Sequence, residues 1–246
     1  MFNALFTTTT EYKKLSHALS GKGACALFGL PASGRAQVYA ALCRQLDKPL
    51  CIVTPGEAEA TRFAADLNTL GIPAAVFPAR DYVLRPIEGT AREYEYRRLA
   101  VLGELVGGRL RAVAVPAEAL TQFTTPKEDF CANTRTLHAG DTLLRDDLLA
   151  ALFGAGYTRR AQVDGPGQFS VRGDIVDIFA PDQKMPVRME FWGDEIDTLH
   201  TFDLTTQRRE DAIDKFYLSP AREVLFGKPA DAAEQLRASR RPSGLR

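Results

Sequence analysis

Gln168–Arg208 reads QFSVRGDIVDIFAPDQKMPVRMEFWGDEIDTLHTFDLTTQR, and the reading of the chain turns on it. Apolar and polar residues alternate at the two-residue period of a strand, stop at Pro181 and Pro186, and alternate again. Successive Cβ atoms of a strand point to opposite faces. Phe169 and Val171 therefore share one side, and Ser170 and Arg172 the other. Gly173 interrupts at a bulge or turn, after which Asp174–Phe179 continues as strand. In the last run Val187, Met189 and Phe191 face a core, while Arg188, Glu190 and Trp192 face outward. Trp and Arg are the residue types that most often dominate interface energies, which favours a recognition surface. The competing reading is a covered sheet, with Trp192 under a helix or loop and Arg188 paired to Glu190 or Asp194.

The whole chain narrows the classes. Its 246 residues allow one large domain or two small ones, each with a core. With 31 Lys and Arg against 31 Asp and Glu, no global basic field draws in nucleic acid, although a local patch remains open. Cys25, Cys43, Cys51 and Cys131 form no close metal-ligand pair, and a reducing, cytoplasmic setting is expected. MFNALFTTTTEYKKL lacks the basic and apolar regions of a signal peptide. Nothing approaches the roughly 20 apolar residues of a membrane span. A soluble protein without membrane partners is expected.

The first half alternates strand and helix signals. After a short helix around Glu11–Leu19, apolar runs occur at Cys25–Leu30, Leu50–Pro55, Ala74–Ala79 and Arg111–Pro116. Helical patterns separate or follow them at Ala36–Leu46, Glu57–Leu70, Ala91–Val106 and Ala117–Gln122. Continuous apolar strands alternating with helices predict a parallel sheet covered by helices. Between the first strand and its helix, GLPASGRA (Gly29–Ala36) has the glycines of a phosphate-binding loop at Gly29 and Gly34. Arg35 stands where that loop needs lysine, and Ala36 where it needs a hydroxyl for magnesium. Pro31 removes one cradling N–H. The expectation is a retained fold without phosphate chemistry. Helix Ala91–Val106 mixes Arg92, Arg97 and Arg98 with Glu93 and Glu95 and is expected to show a solvated charged face.

Near Thr125-Pro126 the pattern shifts to shorter amphipathic pieces, placing a domain boundary there. Thr134–Leu143 reads as a strand turning at Gly140-Asp141, Arg145–Phe153 as an amphipathic helix, and Tyr157–Val163 as a strand before the Gly165–Gly167 turn. The acidic run Asp194–Asp197 lacks metal-ligand geometry, so no metal is expected. Asp177, inside an apolar strand, is expected to pair with a turn or a nearby arginine. His17, His138 and His200 are isolated, and no nucleophile has a motif around it. The sequence offers no catalytic residues.

VRGDIVDIF, PVRMEFWGDEIDTLHTFD and TTQRR resemble the bacterial transcription-repair coupling factor family (Mfd) and its relative UvrB, over about Cys25 to Leu225. The lost loop residues, and the lack of room between Phe77 and Ala91 for UvrB's damage-clamping hairpin, favour the coupling factor. The resemblance implies an α/β chain in which a degenerate P-loop, helicase-like parallel sheet domain (1–125) carries an inserted α+β UvrB-interaction domain (126–213). Residues 214–246 would begin the return into the first domain. It implies UvrA binding in nucleotide excision repair through Arg172, Arg188 and Trp192, the last standing where the family usually has Phe. ATP, RNA polymerase and DNA are implied only for motor and polymerase-binding regions that this chain lacks, so no cofactor is expected. The end, AEQLRASRRPSGLR, reads as the tail of a truncated or frame-shifted product. The alternatives are a UvrB-like ATP-dependent subunit and a DNA-binding fragment.

Overall fold

The computed structural model describes residues 7–21, 24–46, 48–80 and 91–223. Residues 7–80 and 101–123 form one compact unit; residues 91–100 and 124–223 form another.

In the first unit, helices α1 (Thr10–Ser20), α2 (Ala32–Gln45) and α3 (Glu57–Thr69) accompany strands β1 (Leu50–Thr54), β2 (Ala74–Val76) and β3 (Ala112–Pro116). The strands run parallel in the order β1-β3-β2. Central β3 is buried at all five positions, as its unbroken Ala-Val-Ala-Val-Pro run predicts for a parallel strand. Ala112 and Ala114 pack with Ile52, Phe63 and Leu67; Val113 and Val115 pack with Phe77 and Val101. Helix α3 ends as its sequence dictates. Gly71 takes φ +74, and the Ile72 N–H donates to the Leu67 carbonyl at 2.9 Å while both side chains enter one core. That is the Schellman arrangement, which places glycine in the left-handed position.

The expected strand Cys25–Leu30 is not formed. Residues 24–28 are irregular, and Phe28 is 87% exposed. An apolar run signals a preference for burial without specifying a pairing partner, and β1 pairs only with β3 among the described residues. Gly29–Ala36 thus does not follow a strand. Pro31 caps α2, which places Gly34 and Arg35 inside the helix. Residues 81–90, within the stretch expected to leave no room for a hairpin, and 224–246 lie outside the described residues.

The second unit contains α4 (Ala91–Val106) up to Ala100 and the short α6 (Lys127–Ala132), with α5 (Ala117–Leu120) falling in the first. It continues with β4 (Arg135–His138), α7 (Arg145–Gly154), β5 (Thr158–Arg159), β6 (Gln168–Arg172) and β7 (Ile175–Phe179). Strands β8 (Val187–Trp192), β9 (Glu195–Phe202), β10 (Arg209–Ala212) and β11 (Lys215–Leu218) complete it. Six strands form one sheet in the order β10-β9-β8-β7-β6-β5, antiparallel except for β5 with β6; β11 and β4 form a separate pair. Only Thr158–Arg159 of the expected Tyr157–Val163 strand is paired, before the chain turns through Gly167 at φ +72.

The sheet's inner face supplies Phe169, Val176, Ile178, Val187, Met189, Phe191, Ile196 and Leu199 to a core closed by Leu148 and Leu152 of α7 and by Phe216 and Leu218 of β11. A one-residue slip would turn this apolar row outward, so burial fixes the register. Between Glu190↔Thr198 and Phe191↔Ile196 the pairing shifts by one, leaving Asp197 as the extra residue of a bulge. The bulge keeps Phe191 and Ile196 both in the core.

The expected solvated face of α4 holds only in part. Arg92, Glu93 and Arg97 are exposed, but Arg98 is fully buried against the equally buried Glu223, with Nε–Oε1 and Nη2–Oε1 distances of 2.9 and 2.8 Å. Removing one partner of a buried ion pair is strongly destabilising. Glu223→Ala should lower unfolding free energy by about 3–5 kcal/mol. Denaturant titration should show this as a lower midpoint at an unchanged slope.

Candidate partner-binding face

The outer face of the six-stranded sheet contains the residues singled out from the sequence. Arg172 and Trp192 each end a strand immediately before a two-residue Gly-Asp hairpin, since Arg172 pairs with Ile175 and Trp192 with Glu195. Gly173 and Gly193 take φ +59 and +64, the left-handed values favoured at the first position of such loops. Gly173, read from sequence as a bulge or turn, is therefore a hairpin turn. Arg145 at the start of α7 donates to the Gly173 carbonyl at 2.9 Å and reaches Asp174 at 3.2 Å, tying the first hairpin down. Because β6 and β8 both run toward their hairpins, Arg172 and Trp192 stand at the same end of the sheet.

Asp177 of β7, completely buried, joins the two arginines. It lies opposite Arg188 in the β7–β8 register, and Arg188 Nε and Nη2 donate to its two oxygens at 2.7 and 3.0 Å. Arg172 reaches the same carboxylate diagonally from β6, its Nη2 donating at 2.6 Å. The partner of Arg188 is thus Asp177, not the Glu190 or Asp194 weighed from sequence. Spacing along one strand could not reveal it, because the two residues meet only through register. Glu190 instead pairs with Arg209.

The arginines differ in what they expose. The Arg172 side chain is 47% exposed, that of Arg188 only 11%. Arg188 also donates from Nη1 to the Gln207 carbonyl at 3.1 Å, and its guanidinium lies 4.7 Å from the centre of the Phe202 ring. The hydrogen bond to Asp177 raises the Arg188 pKa further above its ordinary value. Trp192 is 83% exposed, so it does not cover the sheet under a helix or loop.

The loop that presents Gln207 is missing from the sequence-based account. Gln207 has φ +58, the only positive φ on a non-glycine residue among the described ones. Asp203 holds the loop by accepting from the Thr206 and Thr205 N–H groups at 2.7 and 3.1 Å and from the Thr206 hydroxyl at 2.9 Å. An aspartate followed by Thr-Thr is the available sequence signal, since Asp side chains commonly bond backbone two or three residues on.

Elsewhere, Arg35 lies 3.8 Å from Glu59 and 5.7 Å from the centre of the Phe63 ring, so the structure engages it with helix α3. No group of three or more potential metal ligands occurs among the described residues. No helix among them is long and apolar enough to cross a membrane.

The Thr206 N–H, the Thr206 hydroxyl and the Thr205 N–H hold the Asp203 carboxyl below its ordinary pKa. A carboxylate depressed on folding contributes stability above its unfolded pKa and loses it as pH falls through the folded one. The Thr205 and Thr206 amide resonances should therefore titrate with a midpoint below the ordinary aspartate range, and Asp203→Asn should abolish that titration. A midpoint at the ordinary value would contradict this account of the loop.

Residues 136–224 match the model of the UvrB interaction domain. The chain is 28% identical over 212 residues to the transcription-repair-coupling factor of Bacillus subtilis, covering 85% of this chain and 18% of that protein. It is 36% identical over 223 residues to that of Mycobacterium bovis, covering 87% of this chain and again 18% of the relative. It is also 28% identical over 217 residues to the UvrABC system protein B of Chlorobium limicola, covering 82% and 32%. The chain thus spans about 18% of the length of these coupling factors. Residues 136–224 are thus similar to the UvrB interaction domain, within a chain that is similar over most of its length to a part of the transcription-repair-coupling factors.

Proposed function

We propose that the chain is a UvrA-recruiting module of transcription-coupled nucleotide excision repair, with no motor activity of its own. The observation that carries this reading is the open end of the outer sheet face, which presents both an exposed Trp192 and an Arg172 held by buried Asp177. An aromatic with a large apolar surface and an oriented guanidinium are the groups that anchor protein interfaces. The family match over this sheet supports UvrA as the partner.

In this reading residues 1–125 are a degenerate helicase-like domain, 126–213 the UvrA-binding domain, and 214–246 the start of a return into the first. The GLPASGRA segment does not bind nucleotide: Ala36 has no side-chain hydroxyl for a metal, and Arg35 lies against Glu59 and Phe63. In this reading RNA polymerase, DNA and ATP are not partners of this stretch. The setting is cytoplasmic.

Calorimetric titration with UvrA tests the proposal. Trp192→Ala and Arg172→Ala should each weaken binding by about 2 kcal/mol, the scale of a hot-spot residue, and Trp192→Ala, which leaves the ion pairs of Asp177 intact, should do so without lowering thermal stability. Wild-type chain that fails to bind UvrA, or variants that bind as wild type does, would sink it.

A further inference from the structure

We propose that Asp177 is the positioning residue of this face, acting on the partner through Arg172; the inference rests on the UvrA reading above. The carboxylate is completely buried and touches no partner itself. Its two oxygens accept three N–H bonds, two from Arg188 and one from Arg172. Arg188 fills the buried side of the carboxylate and is in turn held by the Gln207 carbonyl and the Phe202 ring. Arg172 takes the open side. One Nη2 donor is committed to Asp177 Oδ2, while nearly half of the side chain remains exposed at the Trp192 end of the sheet. A free surface arginine loses rotamer entropy when it binds; one already held by a carboxylate has lost part of it on folding.

Arg188 belongs to the same device. Its guanidinium is enclosed by Asp177, Gln207 and Phe202, and it acts on binding by holding Asp177 in place.

Full-chain variants titrated with UvrA decide the matter. Asp177→Asn keeps the shape and removes the charge; it should weaken UvrA binding by ~10-fold or more. In the Arg172→Ala background the same change should add no further loss, because both act through one guanidinium. If the losses multiply while wild type binds, the positioning role is overturned and the UvrA reading stands. If wild type does not bind, both fall. Should Asp177→Asn lose its cooperative thermal transition, Arg172→Lys decides, since Arg188 still neutralises Asp177 in that variant. Lysine cannot engage Asp177 and also present a planar set of donors, so Arg172→Lys should bind nearly as weakly as Arg172→Ala. Wild-type affinity in Arg172→Lys would mean that charge alone suffices, and would overturn the proposal.

Discussion

A carboxylate with no solvent exposure sits in the middle of a six-stranded sheet, and the outer face is arranged around it. Unpaired, Asp177 would carry a desolvation cost of several kcal/mol. Two arginines from the strands on either side remove that cost, but only in one register: Asp177 opposite Arg188, and Arg172 one diagonal step away. The apolar row on the inner face demands the same register. Two independent constraints, one hydrophobic and one ionic, therefore agree on how β6, β7 and β8 align. Their agreement is the local consistency that gives a sequence a single well-separated native state.

The outer face is not uniform along the strands. At one end Val163, Phe179, Phe202 and Leu204 form a small second core, and Arg188 lies against it. At the other end the Gly-Asp hairpins leave Arg172 and Trp192 open to solvent. β8 runs from the covered end to the open one. Three residues on one face of one sheet thus have different roles: Arg188 is a strut, Arg172 is partly held, and Trp192 projects freely into solvent.

Strand alternation made the faces legible, and Val187, Met189 and Phe191 are in the core where the period placed them. The partnership of Asp177 with Arg188 was only half legible. A buried carboxylate needs a cation, but which arginine it meets depends on pairing between strands, and no single strand's pattern contains that. Arg98 illustrates the same limit over a longer reach: its partner Glu223 is 125 residues away, so α4 looked like a solvated helix. CALFGL failed for the opposite reason. Its composition suited a buried strand, yet among the described residues no strand pairs with it, and Phe28 stands exposed.

Buried ion networks are poor sources of net stability, because desolvation consumes most of the Coulombic gain. Apolar residues of similar volume at 172, 177 and 188 would preserve the inner core and the register it specifies. They would not preserve a guanidinium fixed at the rim of the sheet. The network around Asp177 is thus better explained by the geometry it imposes on Arg172 than by stability. The same argument explains the strained Gln207 backbone. A left-handed conformation on a non-glycine residue costs roughly 1–3 kcal/mol. It persists here because Asp203 over-determines the loop and because the resulting carbonyl meets Arg188. The loop is remote from Trp192 in sequence, but through Arg188 and Asp177 it bears on the same rim.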